Sequence, residues 1–426
     1  MKNILVVDDS ALTRRVLCDI INSDTRFHVQ DKAADGLEAL ELLCVKQYDA
    51  VVLDINMPRL DGLGLLKELQ TRRIQARILL ISSSADRSAK TTFDALELGA
   101  LDFVQKPGSV ISSRIGDFKN NLLNALAAVV ESKVQTFGKP YDAEQSKPVE
   151  ALMPKPAEKP GKATLFRTAD KLVERQVEMP QRNTVDKPET AENQAQKPAM
   201  PPQLKAMERQ AEKPAMSQQP KAAESHRDKQ VIVPGSKIVA IASSTGGPKA
   251  LQALVTKLPA NLNAPVVIVQ HMPEGFTQSL AERLDTLSPI SVKEAAEDDV
   301  LMPGIVYLAR GGKHLNIVKK SGKSVIHYSD EPSREGVKPC ANYMYESLCD
   351  SIYDQIVCVV LTGMGADGTK GIMNLKPNKK LYVIAQEAST CAVYGMPRSI
   401  VETGLTDKIV PLNQIAQEII MNVGVK

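Results

Sequence analysis

The chain has 426 residues, 43% of them hydrophobic and 24% charged, enough for two or three domains with cores of their own. Its formal net charge of +3 is close to balance for this size, and no Lys/Arg block stands beside stacking aromatics, which argues against nucleic acid as a partner. The start, Met1-Lys2-Asn3 running directly into a strand pattern, lacks the parts of a secretory signal, and no apolar run reaches membrane length, so a cytoplasmic protein without membrane insertion is expected.

Residues 3 to 132 alternate short apolar strands, near 3 to 8, 28 to 33, 49 to 54, 77 to 82 and 101 to 104, with amphipathic helices. Regular βα alternation implies a parallel sheet covered on both faces, with function collected at the carboxyl ends of its strands. Those ends carry Asp8-Asp9, Asp54, Ser82 and Lys106-Pro107. Three carboxylates at one edge repel one another unless a cation joins them, and oxygen ligands suit Mg²⁺, which bridges to phosphate. Helix capping accounts for Asp8 or Asp9 singly but not for the whole set. The edge reads as a phosphoryl-accepting site.

This segment, with LDINMPRLDGL around Asp54, resembles the response-regulator receiver domain over its whole length. The resemblance implies a flavodoxin-like fold of five parallel strands with Asp54 as phosphoacceptor. It makes Asp8, Asp9 and Asp54 the Mg²⁺ ligands, helped by the Asn56 carbonyl. It places Ser82 at the hydroxyl switch, Phe103 at the aromatic switch and Lys106 at the lysine that pairs with the phosphate. A cis Lys106–Pro107 bond is expected with it.

From 133 to 236 the composition changes. Lys-Pro recurs at Lys139, Lys147, Lys155, Lys159, Lys187, Lys197 and Lys213 among Gln, Glu and Ala. Such a segment cannot bury enough apolar area to offset its conformational entropy, so a disordered tether is expected. A helical pattern between Thr164 and Val177 reads as a docking element or as a transient helix.

βα alternation resumes in 237 to 426, with strands expected at 238 to 242, 265 to 270, 290 to 294, 304 to 308, 314 to 318, 324 to 328, 356 to 361 and 381 to 385. Those from 304 to 328 follow one another without helices and read as an antiparallel insertion in a doubly wound domain. In KIVAIASSTGGPK a strand runs through Ser243-Ser244-Thr245-Gly246-Gly247 into Pro248, giving strand, elbow and helix. Ser244 is either a nucleophile on that elbow or a helix N-cap. A nucleophile needs a base and a carboxylate to orient it. Of the five histidines, His226 lies in the tether, His28 in the first domain, and His314 and His327 in the insertion, where alternation allows a solvent face. His271 follows the strand that ends at Gln270, and Asp367, in LTGMGADG, follows the strand that ends near Val360. All three groups then stand at one sheet edge. Gly363 to Gly368 also fits G-x-G-x-x-G, with Glu387 placed as a ribose-binding acid, but an aspartate before the third glycine sets a negative charge where pyrophosphate would lie. The six cysteines form no C-x-x-C pair and read as reduced core residues.

Residues 237 to 424 resemble the catalytic domain of the CheB family of chemotaxis protein-glutamate methylesterases, through IASSTGGPKAL, VVIVQHMPEGFTQSLAERL, VLTGMGADG and CAVYGMPRS. The receiver, tether and catalytic order is that family's too. The resemblance implies Ser244 as nucleophile, His271 as general base and acid, Asp367 as orienting carboxylate, the Met364 N–H in the oxyanion hole, and Thr245 in the active-site motif. It implies hydrolysis of glutamate methyl esters on methyl-accepting chemoreceptors, deamidation of their glutamines, activation by a chemotaxis histidine kinase, and no cofactor for the esterase step. A non-catalytic, receiver-gated scaffold is the alternative of a different class. Where the family usually has R-P-S-V-D, this chain has Lys338-Pro339-Cys340-Ala341-Asn342.

Overall fold

Five strands open the chain: β1 (Lys2–Val7), β2 (Phe27–Ala33), β3 (Ala50–Asp54), β4 (Ile78–Ser82) and β5 (Asp102–Gln105). Between and after them run α1 (Ala11–Asn22), α2 (Gly36–Val45), α3 (Gly62–Thr71), α4 (Asp86–Glu97) and α5 (Ile115–Glu131). This is a computed structural model, and it describes residues 1–82, 86–107, 115–132 and 236–426. The strands pair in parallel in the order β2-β1-β3-β4-β5, the flavodoxin-like arrangement expected. Because side chains alternate across a strand, Ile4 and Val6 of β1 pack with Leu17 of α1 and Leu122 and Leu126 of α5. Leu5 and Val7 face α2 and α3. Helix starts are set by side-chain caps: Ser10 accepts from the Thr13 N–H, Asp35 from Leu37 and Glu38, and Asp61 from Gly64.

The second domain begins with β6 (Lys237–Ser243), α6 (Gly247–Val255), β7 (Val266–Gln270), α7 (Phe276–Leu287), β8 (Ser291–Glu294) and β9 (Ile305–Leu308). There follow β10 (His314–Lys320), β11 (Lys323–Ser329), α8 (Ala341–Ser347), β12 (Gln355–Val360) and α9 (Thr369–Leu375). It ends with β13 (Lys380–Gln386), α10 (Met396–Glu402), β14 (Lys408–Val410) and α11 (Leu412–Val423). Seven strands form one sheet in the order β14-β13-β12-β6-β7-β9-β8, paired in parallel throughout. The chain winds outward from β6 through β7, then returns to β12 on the other side. The reversal lies between β6 and β12, and in such sheets the crevice beyond the carboxyl ends at that point is where ligands bind.

Two expectations about this domain need correction. The antiparallel insertion is the β10–β11 hairpin alone. The strand expected at 304 to 308 is β9, which pairs in parallel with β7 and β8; a loop rather than a helix joins β8 to β9, and that hid the crossover. The short strand β14 carries too few residues to show a period. In the first domain the expected cis Lys106–Pro107 bond is not found; the cis bond among the described residues is Lys338–Pro339. The tether expected over 133 to 236 lies outside the described residues but for Ser236, as does its helical pattern. Among the described residues no helix is long and apolar enough to cross a membrane.

Tyr345 on α8 is fully buried, and its hydroxyl lies 3.0 Å from the Val359 carbonyl and 3.2 Å from that of Ala240, clamping α8 to β12 and β6 beside the reversal. Removing a buried donor costs about 1–2 kcal/mol. Tyr345→Phe should therefore lower the urea midpoint of the full chain, followed by far-UV circular dichroism, by an amount equivalent to that loss, with the m-value unchanged.

Candidate active site

The elbow is built by backbone geometry. Strand β6 ends at Ser243, and α6 is capped by Gly246 at φ 75° with no side-chain cap bond and with Pro248 in its first turn. A left-handed residue at the cap favours glycine, and the N-cap is Gly246 rather than Ser244, so the capping reading of Ser244 does not hold. Ser243 and Gln270 are register partners between β6 and β7. Ser244 and His271 each follow one residue later, which sets them side by side at the sheet edge. One buried glutamine ties both positions: Gln270 Oε1 accepts from Ser243 Oγ at 2.7 Å, and its Nε2 donates to the carbonyls of Ser244 (3.0 Å) and His271 (3.1 Å). On the β12 side, the Ser244 N–H donates to the Thr362 carbonyl at 3.0 Å and Thr362 Oγ1 donates to the Thr245 carbonyl at 3.0 Å. Gly363 lets this segment approach, because a Cβ there would lie 2.7 Å from Ser244 Cβ and 2.4 Å from Met396 Sδ.

Asp367 and His271 meet: the carboxylate Oδ2 lies 2.7 Å from His271 Nε2. Asp367 is buried and accepts further bonds from the N–H groups of Ala341 (2.6 Å), Asn342 (2.9 Å) and Gly368 (2.9 Å), and from Cys340 Sγ (3.0 Å). Asn342 Oδ1 holds the same loop by accepting from the Gly368 and Gly371 N–H groups. Burial alone would raise the Asp367 pKa, but the His271 hydrogen bond and charge, with the Cys340 and Ala341 donors, hold it at about 2. The carboxylate is therefore ionised at any working pH. Turned inward onto these donors, Asp367 has no place in a dinucleotide site. Of the two insertion histidines, His327 takes the solvent face that alternation allows, whereas His314 is fully buried.

In the first domain, ligand oxygens of Asp8, Asp9 and Asp54 all lie within 4.8 Å of one another, an all-carboxylate donor set that fits Mg²⁺. Lys106 Nζ reaches Asp8 Oδ2 at 2.9 Å and Asp54 Oδ2 at 2.7 Å. Burial raises the Asp54 pKa, Lys106 opposes this and Asp8 adds to it. Asn56 follows β3 and is exposed. Ser82 Oγ lies 2.9 Å from Thr92 Oγ1, and Phe103 is buried.

The described residues of both domains belong to one compact unit, and its internal contacts bring together residues that the sequence does not associate. Thr245 Oγ1 donates to Asp102 Oδ2 at 2.6 Å. The Phe103 and Phe276 rings pack together, tilted by 36° with centroids 4.5 Å apart. Arg283 of α7 pairs with Asp94 (3.3 Å) and with Glu97 of α4, and Gln252 donates to Glu97 at 3.1 Å. Met364 packs against the core formed by α1 and α5. Sequence reasoning passed over Asp102, Gln270 and Asn342. Only Cys340 and Asn342 left a trace, as departures from the family pattern.

The CheB methylesterase family model matches residues 239–419, and the response regulator receiver domain model matches residues 4–112. A protein-glutamate methylesterase/protein-glutamine glutaminase of Syntrophomonas wolfei is 34% identical over 423 residues, covering 98% of each chain. One of Symbiobacterium thermophilum is 36% identical over 423 residues, covering 99% of this chain and 97% of its own. This chain belongs to the CheB methylesterase family. It is a carboxylic ester hydrolase of that family with a receiver domain at its amino end. Among solved structures, the CheB methylesterase catalytic domain of Thermotoga maritima is 41% identical, covers 44% of this chain and 98% of that one, and has a TM-score of 0.43.

The Asp367 carboxyl titrates near 2 in the folded protein against a reference of 3.8. A depressed carboxyl stabilises the fold above the unfolded value and loses that contribution as pH falls through the folded value, about 2 kcal/mol in all. The difference in unfolding free energy between wild type and Asp367→Asn should hence narrow by about that amount as pH falls from about 5 toward 2. Urea titrations across this range measure it.

Proposed function

We propose that this chain is a phosphorylation-activated protein-glutamate methylesterase and protein-glutamine deamidase acting on methyl-accepting chemoreceptors. The observation that carries the reading is the 2.7 Å His271–Asp367 contact at the sheet reversal, with Ser244 on the adjoining elbow. Asp367, ionised, accepts the proton on Nε2, which leaves Nδ1 of His271 as the lone-pair nitrogen. That nitrogen takes the Ser244 proton as Oγ attacks the glutamyl ester carbonyl. The Met364 N–H, in the loop that Gly363 brings against Ser244, is assigned to the oxyanion. Imidazolium then protonates the leaving methoxide, methanol departs, and His271 deprotonates the water that cleaves the acyl-serine to glutamate. A glutamine side chain follows the same course and releases ammonia. A scaffold without chemistry would have no use for an ionised carboxylate held by five donors.

The receiver supplies the control. Asp8, Asp9 and Asp54, with the Asn56 carbonyl, would hold Mg²⁺, whose charge offsets that of a phosphoryl group on Asp54 delivered by a chemotaxis histidine kinase. The contacts of Asp102 with Thr245 and of Phe103 with Phe276 support a receiver that covers the catalytic edge when unphosphorylated. Phosphoryl oxygens on Asp54 would draw Lys106 and Ser82, taking Ser82 from Thr92, and Phe103 would repack away from Phe276. The cover would then release.

Ser244→Ala should release no methanol from methylated receptor while keeping the wild-type circular dichroism spectrum; turnover at the wild-type rate by the folded variant refutes the assignment. The cover is tested by two variants that move basal activity in opposite directions. Arg283→Ala removes two ion pairs whose carboxylates are exposed, of about 0–1 kcal/mol each, and should raise the unphosphorylated rate about two- to fivefold. Burial pushes the Asp102 carboxyl up, while Thr245, the Phe103 N–H and His271 oppose it. A raised carboxyl favours the docked state below the unfolded value and opposes docking as pH rises through the folded one. Asp102→Asn, neutral at every pH, should accordingly lower the unphosphorylated rate at pH 7 to 8, and a small phosphodonor with Mg²⁺ should restore it. Equal rates for wild type and both variants, with no response to phosphodonor, would remove the cover from the mechanism.

A further inference from the structure

We propose that Cys340 is a positioning residue of the catalytic triad: its thiol donates to Asp367 and so sets how strongly that carboxylate favours the protonated form of His271. The inference rests on the triad reading above and adds a member to it. Cys340 is fully buried and its Sγ lies 3.0 Å from Asp367 Oδ1, while His271 Nε2 holds Oδ2 of the same carboxylate. A donor on one oxygen draws charge from the group and weakens its hold on a cation at the other.

The thiol is fixed as a donor. Burial, the Asp367 charge and the hydrogen bond itself push its pKa up to about 12, so the proton stays on sulfur at working pH. Its backbone is anchored separately: the Cys340 N–H donates to Nδ1 of His314 at 3.2 Å, which places the ring proton on Nε2, 3.2 Å from the Pro332 carbonyl. The His314 ring lies against Tyr343, tilted by 55° with centroids 4.6 Å apart, and burial lowers its pKa from the ordinary value, which favours the neutral, accepting ring. This gives the buried histidine of the hairpin a place behind the triad. Sulfur is a weak donor, and a hydroxyl is the stronger donor to a carboxylate. Three substituents at this position therefore form a graded series of no donor, weak donor and strong donor.

The other charged and titratable groups around the pair are Asp102 of β5 near His271, Tyr345 of α8 near Asp367, and Arg334 near Cys340. All are unchanged across the series.

The test is the rate at which a fluorophosphonate labels Ser244 in full-length wild type, Cys340→Ser and Cys340→Ala, measured from pH 5 to 9. Neutral imidazole is the active form, so each profile has an acid limb. The limb should move to lower pH in Cys340→Ser and to higher pH in Cys340→Ala, by about half a unit each, or about threefold in rate on the acid side. A purely structural role would depress the plateau and leave the limb in place. Coincident limbs, or shifts of the same sign in both variants, overturn the proposal. If Cys340→Ala does not fold, the serine variant against wild type carries the test alone. Failure of wild type to label at Ser244 would instead refute the triad reading, which keeps the two failures apart.

Discussion

Everything in the catalytic domain answers to one electrostatic constraint, that an ionised carboxylate is buried at the reversal of a parallel sheet. Desolvating such a group costs several kcal/mol unless donors surround it. Asp367 finds three backbone N–H groups, a thiol and an imidazole. That requirement explains why α8 begins where it does and why Gly368 follows the aspartate. It also explains why Asn342 is spent on holding the loop rather than on a ligand. The strand ends are bound to one another with equal economy, since Gln270 and Thr362 tie the elbow to β7 and β12 by side chain to backbone bonds. A nucleophile on such a frame is fixed by the sheet, so its position does not depend on loop ordering.

The same edge meets the receiver through two consecutive residues of β5. Alternation along a strand sends neighbours to opposite sides, and here Asp102 and Phe103 both find partners on the second domain, one polar and one aromatic. Because Phe103 and Phe276 belong to one hydrophobic cluster that runs through both domains, the contact is continuous with a core and is not confined to a surface patch.

Much of this was legible from the residues. Side chains at the ends of parallel strands can be placed from position alone, as for Asp8, Asp9, Asp54, Lys106, Ser244, His271 and Asp367, and the structure brings His271 to Asp367 and Lys106 to Asp8 and Asp54. What escaped the reading depends on contacts between distant segments. Asp102 looks like any strand residue until Thr245 is beside it. Gln270 acts through Ser243 and Ser244, distant in sequence, and no local pattern marks it, while Asn342 stands out only as a departure from the family pattern. Alternation allows His314 a solvent face, but the hairpin is packed against α8 and buries it. β9 was misplaced because its connection to β8 has no helix.

The Phe103–Phe276 contact has a thermodynamic corollary. If docking and phosphorylation oppose each other, the coupling is reciprocal and equal in free energy. The catalytic domain then behaves toward the receiver as a tethered ligand that favours its unphosphorylated conformation and withholds Asp54 from the donor. A receptor helix that displaces the receiver from the edge would lift that penalty. Substrate engagement and phosphoryl transfer would each raise the probability of the other, so the enzyme would respond to the coincidence of two signals with a gain that neither produces alone.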